Sequence, residues 1–91
     1  MERRFLFELL TPTATLVRER AREIIAPGFD GYFGVLYGHI YFATTLKKGK
    51  LSVFLGNRVQ SYDVDGGFIQ VTPESVTACV EGARLCEIKE V

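Results

Sequence analysis

The side chains that could do chemistry in this sequence are few: one histidine, His39, the aspartates Asp63 and Asp65, and the cysteines Cys79 and Cys86. A single imidazole can serve as a general base. Nothing around His39 supplies the rest of such a machine, because no nucleophile elbow, Walker glycine loop or H-E-x-x-H pair is present. Asp63 and Asp65 flank an Asp-Gly turn signal, where aspartate bonds the local backbone. A hard divalent ion wants about six oxygens, more than this pair offers. Zinc wants four ligands, and His39 with both cysteines makes three. A turn at Gly82–Ala83 would set the cysteines opposite each other across a hairpin, and one continuous strand from Val76 to Leu85 would point them to opposite faces. Either way they read as small buried hydrophobes in a reducing compartment. The expectation is a chain with no catalytic residue, no cofactor and no metal.

The elements that must carry these residues are strands. Glycine and proline recur at short intervals, with Val, Ile, Phe, Tyr, Leu and Thr between them. Lys50 to Leu55 alternates, Gly56–Asn57 offers a hairpin turn, and Val59 to Val64 follows. Asp65–Gly66 reads as a second turn, with Gly67 to Thr72 returning, so residue 50 onward reads as a β-meander. Ser75 to Val80 reads as a further strand, and Glu87 to Val91 as a weakly patterned tail. Leu16 to Ile25 reads differently. Leu16, Val17, Ala21, Ile24 and Ile25 fall at helical spacing, with Thr13 or Thr15 as cap, Gly28 as stop and interspersed Arg and Glu on a solvated face.

Ninety-one residues give one domain, residues 1–91, with a thin core. Eleven basic and eleven acidic side chains cancel, so there is no electrostatic footprint for nucleic acid or anionic lipid. The apolar runs are too short to span a membrane as a helix. The unusual stretch is Pro27 to Leu46, where Phe29, Tyr32, Phe33, Tyr37, Tyr41 and Phe42 crowd around glycines and His39. Phe33, Val35 and Phe42 read as core. Tyr32, Tyr37 and Tyr41 are left open between core and contact surface, since polar-tipped rings suit interfaces.

That stretch carries a resemblance. Phe7-Glu-Leu-Leu-Thr-Pro12, Ala26-Pro-Gly28, Asp30-Gly-Tyr-Phe-Gly-Val-Leu36, Gly38-His39, Thr44-Thr-Leu46, Lys48-Gly49, Gly66-Gly-Phe-Ile-Gln-Val71 and Val76-Thr77 occur in one order from about Phe5 to Ala83. This ordered set resembles the N-terminal β-sandwich domain of the epsilon subunit of F-type ATP synthases. The resemblance implies an all-β chain, a flattened antiparallel β-sandwich of two sheets with roughly eight to ten strands. It overrides the helical reading of Leu16 to Ile25, which corresponds to a strand region in the family.

The resemblance also implies a function. Such a chain is a non-catalytic rotor subunit of the central stalk. It links the gamma subunit to the c-ring and couples proton flow to ATP synthesis, peripheral to the cytoplasmic face of a plasma or thylakoid membrane. It implies that Asp30, Gly31 and Tyr32 face the c-ring, with Tyr32 standing where the family has an acidic residue. Thr11, Gly38, His39 and Thr44 face gamma, and Tyr41 is placed with them. Both prolines of the family's loop are missing around Tyr37 to Ala43. Because the sequence stops at Val91, before the two-helix domain usual in the family, neither ATP binding nor epsilon-type inhibition is expected of a chain of this length. Two other classes compete: a free-standing β-sandwich that binds a ligand or peptide along an edge strand, and a small metal-dependent β-barrel enzyme centred on His39.

Overall fold

Alternation of side chains in and out of an interior organises every strand. In the computed structural model, which describes residues 3–39 and 41–91, eight strands form and no helix is present among the described residues. They are β1 Phe5–Leu10, β2 Thr15–Ala21, β3 Glu23–Gly28, β4 Gly31–Leu36, β5 Phe42–Phe54, β6 Arg58–Val71, β7 Ser75–Val80 and β8 Ala83–Glu90. Ile40, in the loop that departs from the family pattern, lies outside the described residues. The sheet runs β2-β1-β7-β6-β5-β3-β4, with β8 added to β6. Every pairing is antiparallel except β1 with β7.

This path is folded into two layers. Seven strands at ~4.8 Å spacing would make a flat sheet about 30 Å wide and one side-chain layer thick. The molecule measures 35 × 29 × 25 Å, so its thinnest dimension accommodates two packed layers. The fold is therefore the all-β sandwich that the resemblance implied, with eight strands.

Two long strands make the corner. The first half of β6, Arg58 to Val64, pairs with β8, and the second half, Gly67 to Val71, pairs with β7. Along β6 the inward residues are Tyr62 and Val64 before the corner and Ile69 and Val71 after it. β5 changes phase beside it, from Leu46 to Leu51 and Val53. A strand has a side-chain period of two, so an even-to-odd switch means that the chain has bent to serve the other layer. Asp65–Gly66 is thus a bend inside one continuous strand. The expected meander turn there is corrected: β5 stays paired on both sides of it, Lys48 with Asp65 and Leu46 with Gly67.

The interior holds Phe5, Phe7 and Leu9 from β1 against Val76, Ala78 and Val80 from β7, closed by Ile24, Val35, Leu51, Val53, Tyr62, Val64 and Ile69. A polar chain clips the margin. Arg58 Nε donates to Gln60 Oε1 at 2.8 Å, and Gln60 Nε2 donates to the Tyr62 hydroxyl at 3.1 Å. Arg58 also reaches Glu19 of β2 at 3.4 Å. Burial raises the Tyr62 phenol above its usual 10.0, partly offset by the Gln60 hydrogen bond. The folded state then holds a proton that the unfolded chain releases above pH 10, so stability is present below that pH and falls as pH rises through the folded value. In Tyr62→Phe that share of the alkaline loss disappears, which denaturant midpoints measured from pH 9 to pH 11 will register.

Two further expectations are corrected. The tail from Glu87 is the second half of β8, pairing with Arg58 to Ser61, because β6 offers it a free edge. The cysteines are not buried hydrophobes: Cys79 is half-buried and Cys86 exposed, both free. They lie neither across a common hairpin nor on one strand, since β7 and β8 pair with different halves of β6. The Cys86 thiol donates to the Ser61 carbonyl at 3.3 Å, where β6 and β8 slip register.

Candidate subunit interface

The β3–β4 hairpin projects Phe29 and Asp30 at its tip, with Gly28 facing Gly31 across the turn. Phe29 is 60% exposed; its N–H donates to the Thr45 carbonyl at 3.1 Å, and the Lys47 ammonium sits 5.5 Å from its ring centre. Tyr32 is equally exposed, yet its hydroxyl is tied back to the backbone of β5. The β3–β5 ladder is interrupted between Ile25 and Gly28, beside Pro27. The Lys50 N–H near this gap donates instead to the Tyr32 hydroxyl at 3.0 Å. Gly49 makes room for it, since a Cβ there would lie 2.8 Å from that oxygen and 2.9 Å from Pro27 Cβ. Tyr32 therefore offers a ring face outward while its polar end seals a backbone defect. Tyr32→Phe leaves that N–H without its partner and costs ~1 kcal/mol of stability, readable as a lowered urea midpoint.

Behind the tip, the Phe33 and Phe42 rings meet edge-to-face at 5.4 Å, and His39 meets Phe42 at 6.0 Å. Thr44 lines a shallow hollow with Phe29, Tyr32, Phe33 and Phe42. Gly38 and His39 follow β4 in a turn, the Gly38 N–H donating to the Pro73 carbonyl at 3.0 Å and the His39 N–H to the Leu36 carbonyl at 3.2 Å. Tyr41 is the most exposed of the aromatic residues at 77%. Phe33 is half-buried and Phe42 37% exposed, so both serve as the floor of this patch and not as core proper.

The expected residues thus divide. Asp30, Gly31, Tyr32 and Thr44 share one hollow, and Gly38, His39 and Tyr41 belong to the adjoining loop. Thr11 stands apart at the β1–β2 turn, where its hydroxyl accepts the Ala14 N–H at 3.1 Å beside an apolar hollow lined by Leu10, Pro12, Phe68 and Cys79. Phe68, 52% exposed, belongs to that second patch and was missed. Its signal is the alternation of Phe68 and Gln70 with buried Ile69 and Val71. A broader signal is charge: Gly31 to Leu46 contains no Asp, Glu, Lys or Arg.

No group of three or more His, Cys, Asp or Glu converges among the described residues. Asp65 is engaged by Arg84 at 3.8 Å. Among the described residues, the acid–base pair with mutually shifted groups is exposed: Lys50 and Glu87, 3.1 Å apart, raise and lower each other's pKa by their shared hydrogen bond.

Residues 4–85 match the family model of the ATP synthase delta/epsilon chain β-sandwich domain. The chain belongs to this family. As a delta/epsilon-type sandwich it is similar to the ATP synthase epsilon chain of Brucella canis, at 38% identity over 91% of this chain and 62% of that protein. It is likewise similar to that of Desulforapulum autotrophicum, at 40% identity over 92% of this chain and 63% of that one. The chain spans about three fifths of the length of these curated relatives. Among solved structures it superposes on a chain of the Euglena gracilis mitochondrial ATP synthase (OSCP/F1/c-ring) with a TM-score of 0.85 and 26% identity, over 90% of this chain and 53% of that one. A chain of the Tetrahymena thermophila mitochondrial ATP synthase central stalk and c-ring shares the fold, with a TM-score of 0.77 at 13% identity, over 91% of this chain and 67% of that one.

Proposed function

We propose that this delta/epsilon-type sandwich is a non-catalytic rotor subunit of a proton-translocating F-type ATP synthase. It joins the gamma subunit to the c-ring, so that shaft and ring turn together and ion flow is coupled to ATP synthesis. It is carried by the membrane-bound complex, on the cytoplasmic face of a plasma or thylakoid membrane.

The observation that carries this reading is the group of exposed rings around Gly31 to Leu46, a segment with no Asp, Glu, Lys or Arg of its own, bordered by Asp30 and Lys47 and mounted on a sandwich whose long strands run through both layers. Exposed rings clustered on a small neutral domain mark a protein contact. Torque transmission asks for stiffness, and a folded sheet with continuous β5 and β6 ladders resists shear. The tip residues Asp30, Gly31 and Tyr32, with Phe29, face the c-ring. Gly38, His39, Tyr41 and Thr44 face gamma at the side of the same patch, and Thr11 with Phe68 extends that contact. A permanent joint of this kind buries more than ~1,000 Å².

Gel filtration with the gamma subunit of the same source tests it. Stoichiometric co-elution is expected. Separate elution at micromolar concentrations would favour a free-standing sandwich that binds a ligand or peptide along an edge.

A further inference from the structure

Three strands of the folded sheet have one side unpaired among the described residues: β2, β8 and β4. Exposed edges invite other strands to add, and charged side chains are the usual deterrent. β2 carries Arg18, Glu19 and Arg20, and β8 carries Arg84, Glu87, Lys89 and Glu90. β4, Gly-Tyr-Phe-Gly-Val-Leu, carries neither charge nor proline. It is the one edge of the three built without a deterrent.

The register decides which backbone groups this edge presents. Gly28 and Gly31 face each other across a two-residue turn and form a hydrogen-bonded pair. Every second pair along the ladder repeats that arrangement: Phe33 with Ala26 and Val35 with Ile24. Tyr32 and Gly34 therefore turn their N–H and C=O groups away from β3. Pro27 opposite Tyr32 agrees with this, because a proline is tolerated where its missing N–H points away from the partner strand. On the sheet face, an added Cβ at Gly34 would meet nothing nearer than a Glu23 carboxylate oxygen at 3.4 Å, so a side chain can be placed there.

We infer that β4 is a strand-addition site, at which an extended, uncharged segment of the gamma subunit pairs with Tyr32 to Val35 and continues the sheet across the subunit boundary. Another backbone strand satisfies alternate outward N–H and C=O groups in register, replacing the water that otherwise solvates them. The edge ends directly before Gly38 and His39, so the partner that covers those residues also reaches the strand. This rests on the stalk-subunit reading above and adds to it how the contact is made.

Amide hydrogen exchange by NMR, on the chain alone and in complex with the gamma subunit, tests the inference. The Tyr32 and Gly34 amides should exchange freely in the chain alone and slow by at least about tenfold in the complex. Gly34→Lys, which keeps the N–H and sets a charge on the edge, should weaken the complex about tenfold with an unchanged melting temperature. A stable complex in which both amides exchange as fast as in the free chain would overturn strand addition while leaving the stalk reading intact. Absence of any complex would remove the stalk reading itself. Protection that appears in the chain alone, rises with concentration and accompanies a doubled mass would assign the edge to a second copy and overturn gamma as its occupant.

Discussion

Gly67→Ala should abolish the folded state or cost at least ~4 kcal/mol, most of the stability available to a domain of this size. Gly67 has φ of +150°, in the region that side-chain-bearing residues avoid. An added Cβ would run into the Cys79 carbonyl oxygen and lie 2.8 Å from Val80 Cα, both on the backbone of β7, which cannot step aside without breaking its pairing to β6. This is where β6 passes from one layer to the other, so the clash falls on the corner of the sandwich. Gly31→Ala provides the control. Its φ of +128° carries the same kind of strain, but nothing lies within 4 Å of its Cβ position, so the cost should stay near ~1–2 kcal/mol. Urea titration of both variants gives the comparison. A Gly67→Ala protein with a midpoint close to the parent's would mean that the corner is not fixed as described.

The second large effect is on assembly. Phe29→Ala combined with Tyr41→Ala should reduce affinity for the gamma subunit and c-ring together by at least about 100-fold, or ~3 kcal/mol, if these rings are the anchors of the contact. Stability should hardly change, because the side chains are 60% and 77% exposed and the Phe29 backbone bond to Thr45 remains. Calorimetric titration paired with a thermal melt separates the two effects. Affinity within twofold of the parent would demote both residues to bystanders.

Much of the strand content was legible in the sequence, because glycine and proline spacing leaves room for little else. Leu16 to Ile25 was not, for a physical reason. β2 buries Val17 and Ala21, the chain bends at Arg22, and β3 then buries Ile24 and Ala26. Two period-two strands joined with a phase slip thus place Val17, Ala21 and Ile24 at intervals of four and three, the spacing of a helix face. The Asp65–Gly66 signal was genuine as local geometry, since Gly66 does have positive φ. A hairpin and a corner use the same glycine, and only the continuous pairing with β5 distinguishes them. β8 was obscured because its register slips opposite Ser61 and Tyr62 and because both of its faces meet solvent, so no clean alternation survives.

The candidate surface was legible in composition but not in layout. Aromatic density around Pro27 to Leu46 marked the region. That Thr44 sits in the same hollow as Asp30 and Tyr32 depends on the Gly28–Leu46 pairing between β3 and β5, which no local pattern announces. That Tyr32 is tied to Lys50 depends on a ladder gap beside Pro27, and tertiary pairing alone creates that gap.

The central claim is that one small sandwich fastens a shaft to a membrane ring. Its most direct test is the affinity of the gamma subunit for detergent-solubilised c-ring, measured with and without a stoichiometric amount of this chain. Tightening of at least about tenfold, with the chain retained in the sedimenting complex, is the predicted result. An unchanged affinity, with the chain left in the supernatant, would contradict it.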